Sequence, residues 1–183
     1  MRGLTLNTAA TRHGDANHSM TDLRMTPSNR PARRSLHFHS LDEVVADVKT
    51  LEEADRAGTL QCCGNWTFGQ NLNHLATWVD FSFDGVPLKI PIFVKWMVRP
   101  MKKRFLTKPM RPGSRIPKVE GGTLAIGVVP TAEALEHFYN SFARLAKGPP
   151  AIPHMLFGPM THDEWIAQHL RHSELHLSFL SVS

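Results

Sequence analysis

A chain of 183 residues that is 42% hydrophobic and 20% charged has the size and composition of one globular domain with its own core, which excludes wholesale disorder. No stretch approaches the roughly 18 apolar residues that a membrane helix requires; the best, "VPLKIPIFVKWMV", carries two prolines and two lysines. The net charge of +5 weakly favours anionic partners and decides nothing about fold.

Residues 1–34 show no apolar periodicity and are rich in Thr, Asn, Arg and Pro, so they are expected to form a flexible tail ahead of a folded domain at 35–183. Met20 and Met25 lie inside that tail, and a native start downstream of residue 1 is a further expectation. The N-terminus has no apolar core of a secretory signal. The two cysteines, Cys62 and Cys63, are adjacent, which suits neither a disulfide framework nor a zinc knuckle. Reduced, packing thiols in a cytoplasmic protein are expected.

Helix starts are written in capping-box form. Ser40 with Glu43 precedes Leu41, Val44, Val48 and Leu51; Thr67 with Gln70 precedes Leu72, Leu75, Trp78 and Val79; Thr161 with Glu164 stands just before Trp165. Between the last two, "TAEALEHFYNSFARLAK" begins after Pro130, lines Leu135, Phe138, Phe142 and Leu145 along one face, and stops at Gly148-Pro149-Pro150. The spacing predicts four main helices near 40–56, 67–84, 131–147 and 161–180. A further helix or helical pair is expected around 91–106, interrupted near Pro100. "GGTLAIGVV" at 121–129 reads as a short extended piece or a loop. The expected class is all-α, a helical bundle with one long connection between its second and third main helices.

Histidines carry the chemical signal. On a wheel of about 100° per residue, Trp165, His169, His172, His176 and Phe179 fall within an arc of roughly 80°. Ala167, Arg171, Glu174 and Ser178 lie opposite. A histidine face flanked by aromatics is the face expected to look inward, and His172 and His176 are spaced to reach one ion from successive turns. On the second helix His74 shares its face with Trp78 and Phe81, one turn after Gln70 and Asn71. A third imidazole from that helix would complete a three-histidine site. Spacing alone leaves a metal site and a set of core histidines both open, because eleven histidines make such spacings easy to obtain.

"GNWTFGQNLNHLATW", followed much later by "HMLFGPMTHDEWIAQHLRHSELHLSFL", resembles the DinB/YfiT-like superfamily, and within it a branch of unknown function. "RRSLHFHSLDEVVADVKTL" fits the same branch, so the resemblance spans about residues 33–180. It implies a four-helix, up-down-down-up bundle with a divalent metal, zinc or nickel first among the candidates, held by His74, His172 and His176. Gln70, Asn71 and His169 become candidates for orienting the ligands or a bound water. Some relatives are thiol-dependent S-transferases that use low-molecular-weight thiols, which makes a metal-dependent transferase acting on a small molecule the expected activity; hydrolysis would need a general base that no carboxylate on the inner face supplies. Pairing into a homodimer is also expected of the class. Two departures stand out: Leu175 occupies a place where another histidine is expected, and the chain stops soon after Phe179, leaving the last ligand near a helix end. The competing reading is a non-catalytic helical binding or structural protein with core or vestigial histidines.

Residues 85–119 hold ten Lys or Arg and no Asp or Glu. A solvated connection is the favoured reading. Contact with nucleic acid or an anionic membrane through 99–118 stays open.

Overall fold

The computed structural model describes residues 32–113, 115, 116, 119 and 122–183. Ser40 opens α1 (Leu41–Arg56), its Oγ accepting from Glu43 N at 3.2 Å. The Glu43 carboxylate reaches one residue further back than a capping box would, to His39 N at 2.8 Å. In α2 (Phe68–Asp84) the box is complete: Gln70 N donates to Thr67 Oγ1 at 3.2 Å and Thr67 N donates to Gln70 Oε1 at 3.0 Å. Two short helices, α3 (Ile92–Val98) and α4 (Lys102–Thr107), meet at a 3-10 turn through Pro100, where the proline removes a helical N–H. Pro130 precedes α5 (Thr131–Lys147), and a second full capping box, Thr161 with Glu164, starts α6 (His162–Leu177).

The four long helices share one core. Val44, Val48 and Leu51 of α1, Leu72 and Leu75 of α2, Phe138 and Phe142 of α5, and Trp165 and Leu177 of α6 are all buried in it. Each such side chain contributes about 1.5–3 kcal/mol by leaving water. Among the described residues the strands are β1 (Leu60–Cys62) and β2 (Leu180–Val182), paired antiparallel with Leu60 opposite Val182. The class is all-α, as the helical periodicities require. The described part of 121–129 forms no strand, and no helix among the described residues is long and apolar enough to cross a membrane.

The chain end differs from expectation in a way that matters for the site. The last helix stops at Leu177 rather than running to 180, because Leu180 turns into β2. Cys63 N donates to Phe179 O and Arg34 N to Ser178 O, each at 2.9 Å. Arg33 lies over the Phe179 ring and donates to Ser178 Oγ at 2.6 Å. His176 therefore sits on a clasped turn, not a fraying one. Residues 1–31 of the expected tail lie outside the described residues. Cys62 and Cys63 are free and half-buried; burial, aided by the charge of Asp55, raises the Cys62 pKa and keeps its thiol protonated.

The side of α6 that faces away from the histidines is also covered. Arg171 and Glu174 are only 6% and 5% exposed, because residues 36–38 lie across them. Glu174 Oε1 accepts from Phe38 N at 2.7 Å and pairs with Arg171 at 2.6 Å, while Arg171 donates to Phe38 O at 2.5 Å. Arg171 Nε and Glu174 Oε2 stay buried without partners, so the pair adds little net stability yet is costly to split. Arg171→Met, which strands the carboxylate, is expected to lose about 3–5 kcal/mol in urea unfolding, and Arg171→Met/Glu174→Leu to recover most of it. A double variant no more stable than the single one would show that the pair is not the source of the loss.

Candidate metal centre

Capped at Thr67, α2 brings His74 to its second turn, and α6 carries His172 and His176 one turn apart on the side facing it. The three rings converge: each offers a nitrogen, and the three nitrogens lie within 4.8 Å of one another. His74 Nδ1 is 2.9 Å from Leu124 O. A carbonyl can only accept, so Nδ1 carries the hydrogen and Nε2 presents a lone pair. That lone pair points at His172 Nε2, 3.2 Å away. Two nitrogens bound to one zinc ion at about 2.0–2.1 Å in tetrahedral geometry would be about 3.3 Å apart. The residues could hold a metal ion, with His74 already in the tautomer that a ligand needs.

The surroundings hold this arrangement in place. Trp66 stacks on His176, centroids 5.1 Å apart and planes 11° from parallel, and meets His74 edge-on at 4.9 Å. Trp78 stands edge-on to His172 at 5.9 Å. The loop carrying Leu124 is tied to the start of α2 by Gln70 Nε2, which donates to Ile126 O at 3.2 Å. A side chain at position 69 would put its Cβ 2.9 Å from Val129 O, so Gly69 is what lets the loop lie this close. Ala125, next to Leu124, takes φ 59°, a left-handed conformation that costs a non-glycine residue about 1 kcal/mol or more.

Burial dominates the electrostatics. It pushes the His74 pKa down to about 4, against two backbone contacts that raise it, and that of His176 down to about 3, with the charges of His74 and Arg33 adding to the fall. His172 is lowered well below the ordinary histidine value by burial and then by the charges of His176, His74 and His169. Neutral imidazoles are the form that binds metal.

The other residues named from sequence have different places. Gln70 holds the cap and the loop. Asn71 Nδ2 donates to Thr67 O at 2.9 Å, again steadying the first turn. His169 lies outside the triad, 1% exposed, with Nε2 3.0 Å from Ser82 Oγ and its ring stacked on Trp165. Asp80 is bound by His137 and Ser141, and Asp84 by Arg144, so neither carboxylate is directed to the triad. Sequence reasoning missed the Leu124 carbonyl, which no side chain announces, and the stacking role of Trp66, which its place just before the capping Thr67 signalled. It also missed His154. There Nδ1 accepts from Leu156 N and Phe157 N, both at 3.1 Å, which fixes it in the Nε2–H form. Beyond Trp78 a small cavity is lined by Phe81, Ser82, His154, Trp165 and Gln168. The Trp78 indole N–H and Gln168 Oε1 at its walls are buried without partners.

The family described as "Protein of unknown function (DUF1569)" matches residues 30–183, and the chain belongs to it. Neither the curated proteins nor the solved structures gave a match.

His154 and His169, held by burial near 4 and 3 against an ordinary value of 6.5, make stability depend on pH. A histidine with a lowered folded pKa takes up its proton on unfolding, so stability is full above pH 6.5 and falls as pH drops towards the folded values. The urea midpoint of chelator-treated protein is expected to decline steadily from pH 7 to about pH 4.5. A midpoint that stays level across that window would mean that these rings titrate alike in the folded and unfolded chain.

Proposed function

We propose that this member of the family binds one divalent metal ion, zinc or nickel, through His74, His172 and His176, and that it is a DinB-like, thiol-dependent transferase of the cytoplasm acting on a small molecule. The observation that carries the metal reading is the His74 Nε2 lone pair aimed at His172 Nε2 across 3.2 Å. The superfamily link is supported by the order of the motifs and by four long helices around one core with the long connection after α2.

A divalent ion in this position would act as a Lewis acid and lower the pKa of a bound thiol, keeping it as the thiolate for attack on an electrophile. The chain's own part is to present neutral imidazoles and to wall them with Trp66 and Trp78, whose rings exclude water and strengthen local electrostatics. Transfer is favoured over hydrolysis because the nearby carboxylates are committed elsewhere: Asp80 and Asp84 to partners on α5, and Glu174 to Phe38 and Arg171. Neither cysteine belongs to the triad and burial keeps the Cys62 thiol protonated, so this reading takes its nucleophilic sulfur from a separate thiol. The cavity beyond Trp78, with one buried donor and one buried acceptor unpaired, is a suitable place for the polar part of a substrate.

Tag-free protein is expected to carry about one equivalent of divalent metal, lost in His74→Ala and in His172→Ala, by elemental analysis. Gly69→Ala, which pushes on the Leu124 loop, is expected to weaken zinc binding by about tenfold with helix content unchanged. Folded protein that ignores added zinc and nickel would instead favour a helical binding protein with core histidines.

A further inference from the structure

The basic segment combines solvent exposure with apolar side chains. None of the residues of α3, the 3-10 turn or α4 is buried, yet the segment is strongly apolar. Ile92, Phe93, Trp96 and Met97 are 84%, 67%, 81% and 64% exposed, and Met101 and Phe105 are 44% and 38% exposed. Ile92, Phe93, Trp96 and Met97 lie on α3, with Phe93 and Met97 four apart. Met101 and Phe105 carry the exposed apolar run through the 3-10 turn into α4, an apolar ridge along the segment. Around it Lys89, Arg99, Lys103, Arg104 and Lys108 are exposed, and the sequence places no acidic residue between 85 and 119. The ridge is anchored to the domain from behind: Lys102 Nζ donates to Glu164 at 2.6 Å and to Pro159 O at 3.3 Å, and Phe105 packs on Phe157.

An exposed apolar patch of this kind marks an interaction surface, and its composition selects the partner. Symmetric pairing with a second copy would bring the same cations face to face, which is repulsive. Nucleic acid would satisfy the cations but offers little to Ile92, Met97 and Met101, which gain only by entering an apolar phase. A lipid surface satisfies both demands. Apolar side chains enter the boundary between headgroups and acyl chains, tryptophan prefers that depth, and lysine and arginine meet anionic headgroups. We propose that the ridge from Ile92 to Phe105 docks the protein peripherally on anionic membrane surfaces.

The test uses the full, tag-free chain with phosphatidylcholine vesicles, prepared with and without phosphatidylserine. The chain is expected to sediment with the anionic vesicles only, less so as salt is raised, and brominated acyl chains are expected to quench the Trp96 fluorescence. Phe93→Ser/Trp96→Ser, at positions that bear no core load, is expected to lose binding by about tenfold or more, with helix content and metal content unchanged. Lys103→Glu/Arg104→Glu is expected to weaken binding in the same direction. Failure of the wild-type chain to bind anionic vesicles at low salt would overturn the proposal, as would binding unchanged in the serine variant. Two other outcomes would also overturn it: concentration-dependent dimers abolished by the serine variant, or retention on RNA in place of vesicles. None of these results depends on the metal reading.

Discussion

Two imidazole nitrogens face each other across the seam between α2 and α6, His74 Nε2 and His172 Nε2, 3.2 Å apart. With His74 Nδ1 committed to the Leu124 carbonyl, its Nε2 cannot carry a hydrogen while the ring is neutral, and burial holds it neutral. Two lone pairs repel at this distance, so something positive must lie between them. Without an ion it is the His172 Nε2 hydrogen; under the proposed metal binding it would be the ion. Most of what surrounds the site acts to keep these two nitrogens at that separation.

The short run Trp66–Gln70 shows how few residues this takes. Trp66 stacks on His176, Thr67 and Gln70 cap the helix that carries His74, and Gly69 admits the loop whose Leu124 carbonyl sets the tautomer. Gln70 reaches that same loop with its other end. One pentapeptide thus sets the start of the helix, the approach of the loop and one aromatic wall. On α6 the equivalent control comes from the termini: β2 pairs with β1, and Arg33 and Arg34 hold the turn after Leu177. His176, in the last turn of its helix, is kept in register by the strand that follows it.

The helices and the two sides of the site could be read from the chain alone, because capping boxes and 3.6-residue periodicity are local signals. Thr67 with Gln70 and Thr161 with Glu164 stand where their spacing put them, and His172 and His176 share a face because they are four apart. Other features depend on contacts distant in sequence. Opposite the histidines, Arg171 and Glu174 look like a solvated face on a wheel; they are buried because Phe38 brings backbone groups to them from over 130 residues away. The Leu124 carbonyl carries no sequence mark at all. The ridge at 92–105 was legible as charge beside a short apolar run but not as an exposed face, since the wheel of a short helix cannot tell an apolar face turned inward from one left exposed.

The centre and the ridge lie on different parts of the chain, and only the centre bears on the chemistry. Its central claim, that His74 is set as a ligand in advance and that an ion would take the place of the His172 Nε2 hydrogen, which shifts to Nδ1, is tested by the nitrogen-15 spectra of the imidazole rings before and after one equivalent of zinc. His74 is expected to keep its hydrogen on Nδ1 in both states, while His172 moves from the Nε2–H to the Nδ1–H form and His169 and His154 stay as they were. An Nε2–H form of His74 in the metal-free protein, or rings that do not respond to zinc, would contradict it.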